Sequence, residues 1–115
     1  MSDKIINSNV EDADTVVLGI PYDTTSSFAK GADASPGQIV QVLNDQIERY
    51  ERYTGLNPSN TRRIAYKELT GLINLTPEKM VKRGREAFDN LYRQGKFIIT
   101  LGGEHSVTNG PLEAI

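Results

Sequence analysis

The residues most able to do chemistry in this 115-residue chain lie in the segment 97–108, FIITLGGEHSVT. Its apolar start, residues 97–101, predicts a short, fully buried strand. After it come two glycines, an acid, the only histidine of the chain and a hydroxyl, namely Gly102, Gly103, Glu104, His105 and Ser106. The glycines allow the positive φ of a sharp exit from the strand. Because ligands of open α/β sheets bind at the carboxyl ends of the strands, we expect these residues at a functional edge.

His105 carries the most specific chemistry of the segment. An imidazole just past a strand can offer one ring nitrogen to a divalent cation while the other donates to an orienting partner. The chain has zero cysteines, so a metal here would use histidine and oxygen ligands. Glu104 is a candidate to orient such a ligand, or else a solvated or capping carboxylate. His105 could equally be an ordinary surface or buried histidine with its nitrogens satisfied.

Two other interpretations of this segment are weaker. A catalytic triad would require His105 to serve its neighbour Ser106, which is sterically poor, and Ser106 suits the N-cap of a following helix. Gly102 and Gly103 could cradle a phosphate at a helix N-terminus. Neither a Gly-x-Gly-x-x-Gly pattern nor a P-loop lysine and serine accompanies them. The residues therefore favour a metal ligand, and no catalytic residue is assigned.

Three strands are predicted to position this segment. Residues 15–20 and 97–101 are continuous apolar runs, and residues 63–68 are a weaker candidate. The connections between them exceed the roughly dozen residues that a crossover between parallel strands needs. We therefore expect an α/β fold, a parallel sheet flanked by helices, in which 15–20 and 97–101 are neighbours.

Helices are predicted in the connections, each opened by a capping hydroxyl before a proline, at Ser35 and at Thr76. The first helix has an apolar stripe made of Ile39, Val42, Leu43, Ile47 and Tyr50. The second has one made of Met80, Val81, Gly84, Ala87, Phe88 and Leu91. Gly95 is expected to end the second helix, and a connecting loop is expected at 55–60. A last helix starts in residues 106–115, so the fold is expected to be incomplete and to leave apolar surface uncovered.

Composition excludes several classes of partner. The chain is 37% hydrophobic and 24% charged, which is typical of one soluble globular domain. Thirteen basic and fifteen acidic side chains give a net charge of -2 without a basic cluster, so no nucleic-acid partner is expected. Residues 1–14 are predicted to form a polar N-terminal tail, and no run approaches the roughly 18 apolar residues of a membrane span. We expect no membrane partner and a cytoplasmic location.

Several separated segments resemble the ureohydrolase family of arginases and agmatinases. GGEHS at 102–106 is similar to that family's first metal-binding motif, Gly-Gly-Asp/Glu-His-Ser after a strand. The other similar segments precede it in the chain and occur in the same order as in the family. They are GIPYD at 19–23, TTSSF at 24–28, GA at 31–32, Pro36 with Ile39, and QIERY at 46–50, and the last of them is most like agmatinases. Asp33 and Val40 depart from the pattern, standing where the family often has basic residues.

The resemblance implies an arginase-like three-layer sandwich, with residues 1–115 as one incomplete domain. It implies a binuclear manganese site in which His105 is a ligand and Gly102, Gly103, Glu104 and Ser106 surround it. The family has two later ligand motifs, Asp-x-His-x-Asp and Asp-x-Asp. The first is absent from this sequence, and residues 12–14, which have the spacing of the second, precede the first strand instead of following a late one. Cation ligands are therefore mostly missing from the chain.

The resemblance also implies a small-molecule guanidino substrate. The agmatinase-like segments imply hydrolysis of agmatine to putrescine and urea, by a homo-oligomer such as a trimer or hexamer. Two alternatives stay open. One is another ureohydrolase, acting on arginine, guanidinobutyrate or formimidoylglutamate, and the other is a non-catalytic remnant or interaction module. The chain alone is expected to be inactive.

Overall fold

The computed structural model describes residues 4–22, 34–45, 53–72, 74–103 and 105–115. The strands are β1 (Thr15–Ile20), β2 (Ile64–Glu68) and β3 (Phe97–Gly102). The helices are α1 (Ser35–Asp45), α2 (Pro58–Thr61), α3 (Pro77–Arg93) and α4 (Asn109–Ala114), with a 3₁₀ helix, His105–Thr108, between β3 and α4. The short helix α2 replaces part of the loop expected at 55–60.

The three strands form one parallel sheet in the order β2-β1-β3. On the central strand, Thr15 lies opposite both Ile64 and Phe97, and Ile20 lies opposite Gly102. The prediction that 15–20 and 97–101 are parallel neighbours is confirmed, and so is the weaker strand of 63–68. Because all three strands run the same way, their carboxyl ends meet at one edge of the sheet.

Strand β1 is buried on both faces, which explains why its sequence is apolar at every position except Thr15. Its α3-facing side belongs to the larger core cluster, which includes Val16, Leu18, Ile20, Met80, Phe88 and Leu91. On the other face, Val17 packs with Val40 of α1 and Ile64 of β2. The central strand is thus held between helices on both faces, and its carboxyl end lies at the edge of the sheet that carries the site.

Helix α3 follows its sequence pattern closely. The Thr76 side chain accepts a hydrogen bond from the Lys79 N–H at 3.4 Å, as an N-cap should. At the other end, Gly95 adopts φ +77° and its N–H donates to the Tyr92 carbonyl at 3.0 Å. The predicted capping and glycine stop are confirmed.

Helix α1 is rotated relative to the stripe predicted for it. Pro36 and Val40 are its buried residues, whereas Ile39 and Val42 are 42% and 38% exposed. The rotation follows from packing, because Val40 is the side chain that meets Val17 across the sheet face. The last two members of the predicted stripe, at 47 and 50, lie outside the described residues.

Strand β3 is an edge strand, and its expected full burial is wrong. Phe97 is 66% exposed and Ile99 is 44% exposed. In the described part of the chain β3 pairs with β1 on one side, so its outer edge and one face lack a covering element. Uncovered apolar surface was expected from the sequence, and it is found on this strand and on α1.

The segment 4–14 is packed against the fold, in contrast to the polar tail expected for residues 1–14. Its Ile6 N–H donates to the Asn44 side-chain oxygen at 2.9 Å, and the Asn7 N–H donates to the Ile64 carbonyl at 2.9 Å. Ile5 packs against the cluster formed with α1. Among the described residues no helix is long and apolar enough to cross a membrane.

Asp14 connects the three strands at their amino-terminal edge. Its carboxylate accepts hydrogen bonds from the Arg63 N–H at 3.1 Å and from the Thr15 hydroxyl at 2.8 Å. Its carbonyl accepts from the Phe97 N–H at 3.0 Å. Both hydrogen bonds to the carboxylate favour its charged form and so hold the pKa of Asp14 below its usual value. The bond from the Arg63 N–H has the larger effect, and the bond from the Thr15 hydroxyl comes second.

We therefore expect acid to weaken the fold through Asp14. A carboxyl whose pKa is lowered by folding contributes stability above its unfolded pKa, about 3.9, and loses it as the pH falls through the folded value. Urea unfolding of the wild type and of Asp14→Asn should give a higher midpoint for the wild type at pH 7 and converging midpoints towards pH 2. A difference that stays constant over this range would contradict the prediction.

Candidate functional site

His105 opens the 3₁₀ helix that directly follows the glycine turn after β3, and its side chain is exposed. It lines an open depression of about 200 Å³ together with Gly102, Gly103, Val107 and Thr108. The sequence expectation that this histidine lies at the carboxyl edge of the sheet, accessible to a ligand, agrees with this placement. The chain's one imidazole is therefore available for binding from solvent.

Gly103 is required at this edge by close packing. Its N–H donates to the Ile20 carbonyl at 3.1 Å, which brings the turn against the end of β1. A Cβ at position 103 would collide with the carbonyl oxygen of Tyr22 and lie 3.0 Å from its nitrogen. Among the described residues, the positive-φ glycines are Gly55, Gly71 and Gly95. Gly102 and Gly103 therefore do not use the positive φ that glycine allows, and the reason for a glycine at 103 is close contact instead.

Tyr22, from the segment that resembles GIPYD of the family, faces the core. It is 1% exposed, and its hydroxyl donates to the Leu75 carbonyl at 2.8 Å. Its N–H donates to the Ile20 carbonyl at 3.0 Å. The backbone of Tyr22, rather than its side chain, therefore forms the wall beside Gly103. Residues 23–33, which hold the rest of that motif, lie outside the described residues, as do residues 46–50.

The two polar neighbours of His105 differ in what the structure describes. Ser106 lies inside the 3₁₀ helix, so its expected role as the N-cap of the last helix is wrong. The residue before α4 is Thr108, and its side chain makes no capping hydrogen bond. Glu104 lies outside the described residues.

The described residues do not by themselves supply a metal centre. Over the described ranges there is no group of three or more His, Cys, Asp or Glu side chains that could hold a metal ion. Asp12 and Asp14, which have Asp-x-Asp spacing, precede the amino end of β1, whereas His105 follows the carboxyl end of β3. Since β1 and β3 are parallel, these acids lie at the opposite edge of the sheet from His105.

A second polar pair, Tyr66 and Glu68, lies on β2. It is near the carboxyl edge of the sheet and is separated from the His105 turn by β1. The Tyr66 hydroxyl donates to Glu68 Oε1 at 2.6 Å. Burial, together with that bond to a carboxylate, raises the pKa of Tyr66. A Cβ at Gly19 would come within 2.6 Å of the Tyr66 hydroxyl, so this glycine admits the ring over β1. Sequence analysis placed Tyr66 in a strand only, although the i, i+2 spacing of a tyrosine and an acid was a usable signal.

The fold and the site together define a parallel α/β domain that carries an exposed histidine on a glycine turn. The model of the arginase family matches residues 13–115, and the chain belongs to that family. The predicted arginase-like fold is confirmed by a solved structure, the agmatine ureohydrolase of Thermoplasma volcanium. It matches with a TM-score of 0.85 and 29% identity, over 100% of this chain and 39% of that chain.

Curated relatives are ureohydrolases at modest identity. The N(1)-aminopropylagmatine ureohydrolase of Synechocystis sp. is 31% identical over 108 residues, which cover 90% of this chain and 35% of that protein. The mitochondrial agmatinase of Gallus gallus is 29% identical over 113 residues, covering 96% and 32%. The chain therefore spans about a third of the length of the curated relatives it matches.

Proposed function

We propose that this chain is the N-terminal part of a ureohydrolase, an enzyme that hydrolyses a guanidino group to urea and an amine. The observation that carries the proposal is the coincidence of the family match over residues 13–115 with an exposed His105 in the GGEHS segment. The histidine is open to solvent at the edge where α/β sheets bind ligands. Cytoplasmic location and assembly into a homo-oligomer belong to the same proposal.

In this proposal His105 supplies one ligand to a manganese centre. Manganese requires several carboxylate, imidazole and water ligands, and the described residues hold no such group. The other ligands would come from polypeptide that corresponds to the remaining two thirds of the relatives. The part of this chain is to place one imidazole, on a turn fixed against β1 by Gly103, where those ligands can meet it.

The proposed substrate is agmatine, a guanidino compound with a primary amine at its far end. A second candidate is N(1)-aminopropylagmatine, since relatives named for it match this chain about as well as the agmatinase does. The proteins named for it in Synechocystis sp. and Thermus thermophilus are 31% and 32% identical to this chain, against 29% for the agmatinase of Gallus gallus. Differences this small do not separate the two substrates, so activity must.

The decisive experiment uses a chimaera in which residues 1–115 replace the matching part of the Thermoplasma volcanium enzyme. We expect manganese-dependent urea release from agmatine or its aminopropyl derivative, exceeding the release from arginine and guanidinobutyrate. Loss of a residue that hydrogen-bonds to a metal ligand lowers metal affinity by about 10- to 100-fold. His105→Ala removes the ligand itself, so it should lower manganese affinity by more than that. Glu104→Gln, the matched control, should lower it less. Equal affinities in the two variants would contradict the assignment of His105.

A further inference from the structure

The 3₁₀ helix that begins at His105 continues into α4 without a hinge. Thr108, the last residue of the 3₁₀ helix, has φ −65° and ψ −25°, so the backbone stays helical through the junction with α4. Val107, within the 3₁₀ helix, is 4% exposed and belongs to the core cluster under α3. His105 is therefore at one end of a continuous helical segment, and α4 is at the other. A rigid displacement of α4 would therefore also move the segment that carries His105.

Gly110 seats this segment on the backbone of α3. A Cβ at position 110 would lie 2.7 Å from the Val81 carbonyl oxygen and 2.8 Å from the Arg85 nitrogen. Both are main-chain atoms inside a helix, so neither can rotate out of the way. Ordinary contacts of a Cβ begin at about 3.4 Å. A methyl group at 110 must therefore separate the two backbones by several tenths of an ångström.

Helix α4 is the element that would move. Helix α3 has 17 residues and is anchored in the core by its buried side chains, Met80, Phe88 and Leu91. Helix α4 has 6 residues. An ion pair between Arg85 and Glu113 also joins the helices, but it is 3.9 Å long and both side chains are about half exposed. Exposed pairs of this kind contribute little, so it cannot oppose the displacement.

We propose that Gly110 is a positioning residue for His105. The inference rests on the proposed function, in which His105 is a metal ligand, because such a ligand must be placed to within about 0.5 Å of its productive geometry. Gly103 fixes the strand side of the turn against Tyr22, and Gly110 fixes the helix side against α3. A displacement of several tenths of an ångström at α4 would consume most of that tolerance.

Gly84 provides a matched control in the same helix pair. A Cβ at Gly84 would meet the Ile20 side chain at 3.4 Å and the Gly110 Cα at 3.9 Å, which are ordinary contacts. Alanine is also a better helix former than glycine in the interior of α3. Gly84→Ala therefore adds one methyl group to the contact without forcing the backbones apart.

The experiment follows the single imidazole by NMR in the 115-residue chain. Because His105 is the only histidine, its ring gives one unambiguous set of resonances. In Gly110→Ala we expect the His105 resonances to shift and the intensities of ring cross-peaks to Gly102, which lines the same depression, to change, while cross-peaks between β1 and β3 persist. In Gly84→Ala the His105 spectrum should match the wild type. No metal is added, so this result is independent of whether His105 binds manganese.

Three outcomes would overturn the proposal. An unchanged His105 spectrum in Gly110→Ala would mean that α4 does not set the place of the imidazole. Loss of the β1–β3 cross-peaks in that variant would give Gly110 a role in folding rather than in positioning. An equal displacement in Gly84→Ala would show that any added methyl group moves the turn, which contradicts the steric argument.

Discussion

Replacing Gly103 with alanine should destabilise the fold by about 3 kcal/mol, the upper end of the usual cost of forcing an extra methyl group into a packed site. The added Cβ collides with the Tyr22 carbonyl oxygen. Tyr22 cannot yield easily, because its ring is buried and its hydroxyl is bonded to the Leu75 carbonyl. For a chain of this length the loss corresponds to a melting temperature lower by roughly 10 °C or more.

Thermal and urea unfolding of Gly103→Ala, followed by circular dichroism, measure this effect. Gly37→Ala is the matched control, since its Cβ would meet only the Glu68 Oε1 atom at an ordinary 3.7 Å. That control lies in a helix, where alanine is favoured over glycine by up to about 1 kcal/mol. Gly37→Ala should therefore be at least as stable as the wild type. If Gly103→Ala were as stable as the wild type too, the close approach of the turn to β1 would not be what requires glycine at position 103.

The parallel sheet was predictable because its signals are local and redundant. Residues 15–20 are apolar apart from Thr15, a pattern typical of a strand covered on both faces. Helix α3 has a hydroxyl and a proline at its start and a glycine at its end, so its bounds follow from capping chemistry. Connections long enough for crossovers then leave parallel pairing as the simple solution.

The orientation of α1 and the exposure of β3 could not be predicted in the same way. Helix α1 has apolar residues at four of five consecutive positions, 39, 40, 42 and 43, so periodicity alone cannot say which of them meets the sheet. Val40 does, because Val17 and Ile64 present the surface that receives it. The exposure of Phe97 depends on strand order, which is a property of the whole sheet and not of the segment.

Site residues could likewise be predicted from the sequence only where the signal is local. His105 could be located because a lone histidine follows a strand and two glycines, all within one short segment. Gly110 could not, since its importance comes from backbone atoms of α3 that are distant in sequence. Tyr66 and Glu68 were likewise hidden, because only the fold brings a tyrosine of β2 over Gly19 of β1. Contacts between elements, rather than residue types, decide these roles.

The purified 115-residue chain should bind manganese weakly and release no urea from agmatine or arginine. Its described residues offer His105 without a group of three metal-ligating side chains, and manganese needs several ligands in fixed geometry. Losing one hydrogen-bond partner of a ligand already costs about 10- to 100-fold in metal affinity, or roughly 1.4 to 2.8 kcal/mol. Lacking most of the ligands themselves should cost far more, so no activating metal centre would assemble.

Calorimetric titration with manganese and a urea assay test this expectation, with the Thermoplasma volcanium agmatine ureohydrolase assayed alongside as the positive control. The chain should give no saturable binding at manganese concentrations that fully activate the control enzyme. Fusing the chain to the remaining part of that enzyme should restore binding, because it supplies the ligands that the chain lacks. Manganese-dependent urea release by the 115-residue chain itself, abolished by His105→Ala, would show that residues within this chain complete the ligand set.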